Sequence, residues 1–290
     1  MSPLRLALLT LVTMLCFAGN SVLCRLALRQ TSIDAASFTS VRLTSGALML
    51  ALLVLGRHRL RGVEFASSGL FNGFGGNWLS ALALFVYACA FSFSYHQLST
   101  GIGALLLFGA VQATMILTGF WLGERLNTRQ VVGLLLALVG VVAILAPSLD
   151  APPLGSALLM LASGVAWGVY SLRGRGVADP TGETAGNFLR AALLSVLFSG
   201  ALLAQQQLDA LGLLYALLSG AVTSGLGYAI WYAVVPRLTR TRAATVQLSV
   251  PVLAALAGVL FVQEPITLKL LLTSGAVLGG IALVVLNKRA

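Results

Sequence analysis

Ten apolar stretches long enough to cross a membrane dominate this sequence. The hydrocarbon core of a bilayer is about 30 Å thick, so each crossing helix needs about 20 apolar residues. The 18 basic and 8 acidic residues are too few to cover so many buried helices with polar surface, which argues against a soluble fold. The pattern predicts an all-α membrane protein with ten transmembrane helices. They are expected at residues 4–28, 35–56, 70–96, 100–122, 130–146, 154–172, 185–204, 210–235, 243–262 and 268–286.

Basic residues gather on one side of the predicted bundle. If the N-terminus lies on side A and the sides alternate, 13 of the 18 basic residues fall on side A and 3 on side B, with the other 2 inside spans. The three on side B are Arg25, Arg29 and Lys269. Cytoplasmic loops of membrane proteins collect Lys and Arg. Both termini are therefore predicted to be cytoplasmic.

The formal net charge of +10 has a simpler explanation than nucleic-acid binding. The excess lies in the predicted cytoplasmic loops, where it faces anionic lipid headgroups. Cys16, Cys24 and Cys89 lie in or beside apolar spans, as small packing residues do. We therefore expect membrane lipid and a small-molecule substrate as partners, no nucleic acid, no cofactor, no metal site, and a monomer.

The chain divides into two halves of five spans each. The segment 149–153, with its two prolines, separates residues 1–148 from residues 154–290. An odd number of spans in each half makes the two halves cross the membrane in opposite directions. Shifting the chain by 140 residues also brings Glu124 over Glu264 and Gly140 over Gly280. Inverted repeats of this kind are typical of secondary transporters, whose substrate site lies near mid-membrane between the halves.

Short motifs at matching places in both halves resemble a known family. They are Ala18-Gly19-Asn20, Trp167-Gly168, Gly123-Glu124-Arg125-Leu126 and Gln263-Glu264-Pro265-Ile266. With the five-plus-five plan, they resemble the EamA branch of the drug/metabolite transporter superfamily, and within it the YddG-type exporters. The resemblance implies a multi-pass protein of the bacterial inner membrane. It also implies export of aromatic and other neutral amino acids by alternating access through a central cavity, with export of drug-like or other small metabolites as the alternative.

Polar and aromatic side chains within the spans are the candidates for substrate binding, because a polar group in lipid is costly and usually faces a cavity or another helix. Aromatic rings suit planar or bulky apolar groups, and amides can hold a zwitterionic head. For Asn20, lining the path and bonding to a neighbouring helix are equally open. The candidates are Asn20, Trp78, Gln112, Trp167, Tyr170, Tyr228, Trp231 and Gln247.

Arg42 and Arg190 are the basic residues inside predicted spans. Each could pair with a substrate carboxylate, but both lie near a span end and can extend to the headgroups. The favoured interpretation is structural, with capping of helix ends in the partner repeat as an example of such a role. Glu124 and Glu264 are expected to pair with a nearby arginine or with the N-terminus of the following helix.

The absence of carboxylates from the middle of the spans bears on mechanism. Proton-coupled carriers commonly rely on a buried acid, so we expect facilitated export instead. The two histidines, His58 and His96, lie far apart in the sequence, which excludes a metalloprotease motif of the His-Glu-x-x-His kind. The protein is predicted not to be an enzyme.

Flexible points are expected where the backbone is least constrained. Pro251 removes one backbone hydrogen bond and should loosen or kink the ninth span. Gly75 and Gly76, just before Trp78, form a second candidate hinge. Static packing is the alternative interpretation for all three residues.

Overall fold

The computed structural model describes residues 1–60, 73–123, 127–146, 151–174, 176–238, 243 and 246–286. Within these ranges the chain forms helices joined by turns and short connections, and none of the described residues lies in a β-strand. The predicted all-α architecture is confirmed for this part of the chain. Arg61, Glu124, Arg125 and residues 149 and 150 of the predicted 149–153 linker lie outside the described residues.

Ten helices are labelled here in chain order. The first half contributes α1 Pro3–Gln30, α2 Ala35–Leu60, α3 Trp78–Tyr95, α4 Thr100–Trp121 and α5 Thr128–Leu145. The second half contributes α6 Leu154–Arg173, α7 Pro180–Ala201, α8 Ala210–Arg237, α9 Ser249–Val262 and α10 Leu268–Leu286. Eight of these helices are long and apolar enough to cross a membrane. The other two are α7, which is more polar, and α9, whose described part has 14 residues.

The start of the third span differs from the prediction of residue 70. Residues 73–77 are not helical, and α3 begins at Trp78. Gly76 has a φ of +86°, a conformation that favours glycine and breaks a helix, and Asn77 caps α3 by accepting a hydrogen bond from the Ser80 N–H at 2.9 Å. The predicted span started too early because Leu70, Phe71 and Phe74 are apolar, although three of the five residues at 73–77 are glycines.

Two more boundaries moved for local reasons. The seventh helix begins at Pro180 instead of residue 185, because proline is well tolerated at the first helical position. In the predicted ninth span, the described chain turns at Leu248 and the helix α9 begins at Ser249. The tenth helix, Leu268–Leu286, has the predicted bounds.

Helix packing follows the same plan in the two halves. The pairs α2 with α7, α4 with α9, and α5 with α10 each join equivalent helices. Other contacts occur twice, once with the two halves interchanged. Helix α3 packs on α6 just as its equivalent α8 packs on α1, and α4 packs on α6 just as its equivalent α9 packs on α1. The interior of the bundle therefore lies between α1, α3, α6 and α8, with α5 and α10 paired at its side.

The α5 and α10 pair shows how closely these helices approach. A Cβ at Gly133 would lie 2.5 Å from the Gly280 carbonyl oxygen, and a Cβ at Gly280 would lie 2.4 Å from the Gly133 carbonyl oxygen. Only glycine fits at either position without a shift of the backbone. Close backbone contact through small residues is the usual way in which membrane helices associate.

The middle of α8 is wound as a π-helix over Leu218–Leu226. In such a segment each N–H bonds to the carbonyl five residues back, so residues five apart lie above one another. The segment packs on α1 and α2 at mid-bundle. The π-helical segment therefore faces the interior of the bundle, where the candidate site lies.

Candidate functional site

A central cavity lies where α1, α3, α4, α6 and α8 meet. It contains about 380 Å³ of space between protein atoms, counting its mouth. The residue Gln247, just before α9, completes the wall. The lining residues are Phe17, Asn20, Ser21, Tyr87, Phe91, Leu107, Phe108, Trp167, Tyr228 and Gln247. Both halves of the chain thus contribute to one site.

Aromatic rings form one side of this cavity. The Trp167 ring centroid lies 4.9 Å from that of Tyr87 and 5.2 Å from that of Tyr228. Phe17 packs against Tyr228 at 5.7 Å and against Trp231 at 6.0 Å. Such tilted and edge-on pairs each contribute about 0.5–1.5 kcal/mol beyond area burial. A planar apolar group of a substrate could take the place of one ring and make the same kind of contact with the others.

A polar layer built around Asn20 adjoins this cavity. Its Oδ1 lies 2.7 Å from the hydroxyls of Ser219 and Thr223, and its Nδ2 donates to Ser224 Oγ at 3.3 Å. Asn20 is buried and also lines the cavity. Asn20 therefore bonds to a neighbouring helix and borders the cavity, and its part in a substrate path stays a prediction.

The π-helical winding of α8 assembles this layer. Ser219 and Ser224 are five residues apart, and the π-helix places them on one side, both within hydrogen-bond distance of Asn20. Gly220 permits the approach of α2, because a Cβ there would lie 2.0 Å from Ser45 Oγ. An ordinary α-helix would turn Ser224 away from Ser219.

Arg42 of α2 is buried beside the cavity. Its side chain shares the inward face of α2 with Phe38 and Ser45, and the residue is 1% exposed. The suggestion that it extends to the lipid headgroups is wrong, because Tyr87 and Phe91 of α3 and Ser224 of α8 cover its side chain. A position near a helix end does not determine which face a side chain occupies.

The surroundings of Arg42 are neutral. Its Nη2 donates to Tyr87 Oη at 3.0 Å, and its Nε lies 3.5 Å from Ser224 Oγ. The guanidinium carbon lies 4.9 Å from the Phe91 ring centroid and 5.4 Å from that of Tyr87. The Nη1 atom has no hydrogen-bond partner among the described residues. Tyr87 and Phe91 also line the cavity, so the cation and the cavity share two walls.

Arg190, which matches Arg42 in the repeat, has a different environment. It is half-buried, and its Nη1 donates to the carbonyls of Gly75 and Gly186, both at 2.9 Å. It therefore joins α7 to the segment that precedes α3, in keeping with a structural role. Its guanidinium lies 5.9 Å from the Trp78 ring. The two repeats have diverged at this position.

Some predicted site residues lie away from the central cavity. Trp78 is 51% exposed at the first turn of α3, and Gln112 is buried in α4 but lines neither described cavity. Trp231 is one contact away, against Phe17. Four of the eight candidates, Asn20, Trp167, Tyr228 and Gln247, line the cavity itself.

Tyr170 belongs to a second cavity, nearer the end of the bundle that carries Arg57. Its ring stacks on Trp167 with centroids 5.4 Å apart. This cavity holds about 310 Å³, counting its mouth. Its lining residues include Asn77, Ser80, Tyr170, Arg173, Glu183, Thr184, Asn187 and Tyr232. The Trp167 and Tyr170 pair therefore stands between the two cavities.

The predicted hinge residues are held in this conformation. The Gly75 carbonyl accepts from Arg190, and the Asn77 N–H donates to Asn187 Oδ1 at 2.9 Å, so the segment containing Gly75 and Gly76 lies against α7. Pro251 lies in the first turn of α9, three residues after the turn at Leu248. Movement at Gly75 and Gly76 would first require these contacts to α7 to break.

The opposite end of the bundle is closed by Arg25 of α1. Its Nε donates to Glu264 Oε1 at 3.0 Å, and its Nη1 donates to the carbonyls of Tyr95 and His96. Glu264 Oε2 accepts from the Thr100 N–H at the start of α4. The sequence predicted an arginine or the N-terminus of the following helix as the partner of Glu264. The arginine is Arg25, and the helix N-terminus that binds Glu264 is that of α4 instead of the following α10.

Sequence reasoning missed several residues of the site. Tyr87 is one of several aromatic residues in the third span, and the hydrophobic pattern does not show which of them faces the cavity. Phe91 lies one turn further along the same face of α3. Ser219 and Thr223 lie four residues apart and share one face of any helix, but nothing in the sequence indicates that this face meets Asn20. The alignment of Ser219 with Ser224 depends on the π-helix.

Comparison with known proteins places this architecture among transporters. The model of the EamA-like transporter family matches residues 4–146 and again residues 154–286. An uncharacterized protein of Pseudomonas aeruginosa is 56% identical over 280 residues, which cover 97% of this chain and 94% of that protein. An uncharacterized transporter of Archaeoglobus fulgidus is 30% identical over 71% of this chain and 76% of its own length.

Two more distant likenesses add detail. A Salmonella typhimurium protein described as a probable amino-acid metabolite efflux pump is 27% identical over 62% of this chain and 64% of its own length. A protein of known crystal structure covers 98% of this chain and 99% of its own, with a TM-score of 0.66 and 21% identity, which supports the fold alone. The apolar helices and the duplicated match indicate a multi-pass membrane transporter of small molecules, and the chain belongs to the EamA-like transporter family.

Proposed function

We propose that this protein exports aromatic and other neutral amino acids across the bacterial inner membrane by alternating access. The observation that carries the proposal is the central cavity, whose lining combines aromatic rings with the polar side chains of Asn20, Ser21 and Gln247. Rings suit a planar or bulky side chain, and the polar layer suits the charged head. The likeness to a probable amino-acid metabolite efflux pump supports the same substrate class.

The proposed topology has ten transmembrane helices in two inverted repeats, with both termini cytoplasmic. The exchange of equivalent contacts between α1–α5 and α6–α10 supports the repeat. Cysteine labelling tests the topology: in a variant without native cysteines, Ser2→Cys should react with an impermeant maleimide in inverted vesicles, and Ser32→Cys should react in intact cells. The reverse pattern would overturn the assignment.

Contacts on both sides of the central cavity support alternating access. The Arg25 and Glu264 pair holds one end of the bundle together, and the Trp167 and Tyr170 stack separates the central cavity from the second cavity near Arg57. We expect these two contacts to open in turn as a substrate passes. Opening them in turn would move the substrate without a continuous channel.

Transport is tested in proteoliposomes with labelled L-phenylalanine and L-leucine. Wild-type protein should show saturable uptake, and Trp167→Ala should reduce it at least tenfold because the ring stack loses its centre. Trp121→Ala is the matched control, since Trp121 is 85% exposed at the end of α4. Uptake no faster than that of empty liposomes, with folded and inserted protein, would contradict the proposal.

The alternative is export of drug-like or other small metabolites, because the same rings would accept a planar drug. Efflux of a cationic dye that L-phenylalanine does not inhibit would favour it. Facilitated transport is the expected mode in either case, since none of the described span interiors carries a carboxylate. Uphill uptake driven by an imposed pH gradient would contradict that mode.

A further inference from the structure

We infer that Arg42 binds the carboxylate of the transported substrate and so selects acids over amines. The inference rests on the proposed function and names the chemical group that the central site recognises. The substrate class it defines is an organic carboxylate with an aromatic or bulky apolar body. Cations of similar shape are excluded.

The first argument is the unbalanced charge. Among the described residues, the ion pairs join Arg25 to Glu264 and Arg57 to Asp179, and neither involves Arg42. Arg42 is 1% exposed and has a hydroxyl group and two aromatic faces as its neighbours. A buried cation is costly unless an anion compensates it. A bound carboxylate would supply that anion.

The second argument is the orphan donor. Arg42 Nη1 is buried and meets no hydrogen-bond partner in the described part of the chain, although a guanidinium can donate from both of its terminal nitrogens. The Nε contact to Ser224 Oγ, at 3.5 Å, is longer than a normal hydrogen bond. Arginine therefore has donors to offer to an incoming group, and its planar fork matches a carboxylate.

The third argument is position. Tyr87 and Phe91 touch the guanidinium on one side and line the central cavity on the other. Ser224 lies within reach of both Arg42 Nε and Asn20 Nδ2. A carboxylate that displaces the Ser224 contacts would meet two donors, one from each of these side chains. The apolar body of the substrate would then lie among the rings around Trp167.

The decisive test compares four ligands that share one ring: L-phenylalanine, 3-phenylpropionate, L-phenylalaninamide and phenethylamine. Inhibition of labelled L-phenylalanine uptake is measured for each in proteoliposomes. The two carboxylates should inhibit and the two compounds without a carboxylate should not. Equal inhibition by phenethylamine and 3-phenylpropionate would overturn the role of Arg42 while leaving amino-acid transport intact.

The arginine itself is tested by Arg42→Gln and Arg42→Lys. Loss of a charge-assisted pair should lower uptake about 10- to 100-fold in Arg42→Gln, with a smaller loss in Arg42→Lys, which keeps the charge but not the fork. Arg29→Gln, at an exposed arginine of α1, is the control and should transport normally. Normal uptake by Arg42→Gln would overturn the inference.

A binding measurement separates this role from a structural one. L-Phenylalanine should raise the thermal midpoint of the wild-type protein in detergent and fail to raise that of Arg42→Gln. The variant without ligand should be no less stable than wild type, since it removes an uncompensated charge. A large drop in its midpoint would show that Arg42 serves the fold. If wild-type protein transports no amino acid, the proposed function fails first, and midpoint shifts by 3-phenylpropionate but not by phenethylamine would still support Arg42.

Discussion

Arg25 and Glu264 form an ion pair with both side chains more than nine-tenths buried, at an Nε to Oε1 distance of 3.0 Å. The pair joins α1 of the first repeat to the turn that follows α9 of the second. Gln263 makes this turn possible by ending α9 in the left-handed conformation, at a φ of 58°. Arg25 Nη1 also donates to the Tyr95 carbonyl at the end of α3, and Glu264 Oε2 accepts from the Thr100 N–H at the start of α4. Three elements are thus held at one closed end.

Removal of one partner of this pair should destabilise the protein more than removal of both. Glu264→Gln leaves a buried guanidinium without its counter-charge, which in proteins typically costs about 3–5 kcal/mol. The double variant Arg25→Gln with Glu264→Gln should recover part of that loss. Thermal midpoints in detergent for the four members of this cycle measure the coupling. Strictly additive losses would show that the two side chains do not act as a pair.

Asp34 gives the closed end a dependence on pH. Its Oδ1 accepts from the N–H groups of Ala36 and Ser37, and its Oδ2 accepts from the N–H of Gln207 in the α7–α8 connection. Burial favours the neutral acid, but these hydrogen bonds outweigh it, and the pKa of Asp34 lies below its ordinary value of 3.8.

The sign of the effect follows from that shift. A depressed pKa in the folded state contributes stability above the unfolded value, and this stability is lost as the pH falls through the folded value. Wild-type protein should therefore be more stable than Asp34→Asn by a constant margin at neutral pH, and the margin should shrink below about pH 4. Thermal midpoints of both proteins across this range provide the measurement. A margin that widens on acidification would contradict the assignment.

Adjacent glycines in α10 allow a matched test of helix packing. A Cβ at Gly280 would lie 2.4 Å from the Gly133 carbonyl oxygen, whereas a Cβ at Gly279 would meet nothing within 4 Å. Gly280→Ala should lower the thermal midpoint clearly, because α5 and α10 must separate. Gly279→Ala should leave it unchanged or raise it, since alanine is the better helix former by about 1 kcal/mol. Similar effects of the two substitutions would mean that α5 and α10 do not pack in this way.

The helices were predictable because membrane thickness imposes a length on each apolar run. Where a turn is marked by polar or proline residues, as before Leu268, the boundary was predicted correctly. It was wrong before Trp78, since Leu70, Phe71 and Phe74 extended the predicted span over the glycine-rich segment 73–77, which is not helical. Hydrophobicity reports the solvent that a segment prefers and gives little information on its backbone.

The site was predictable by residue type and less so by position. Asn20 and Trp167 were found because polar and bulky aromatic side chains are unusual in the middle of a span. The environment of Arg42 was predicted incorrectly. The sequence shows how far Arg42 lies from the end of its helix, but it does not show which face of the helix carries the side chain. The Ser219 and Ser224 pair depended on π-helical winding, for which the sequence offered no pattern.

Trp78 and Trp167 provide the last prediction, because the sequence treated them alike and the structure does not. Trp167 has ring centroids of three other aromatic residues within 5.4 Å, and it lines the cavity. Trp78 is 51% exposed beside Arg190. Trp78→Phe should therefore retain the wild-type Michaelis constant for L-phenylalanine, whereas Trp167→Phe should raise it severalfold, because a smaller ring opens the stack. Concentration series of uptake in proteoliposomes measure both constants, and an increase for Trp78→Phe equal to that for Trp167→Phe would place the substrate path at the α3 end instead of the central cavity.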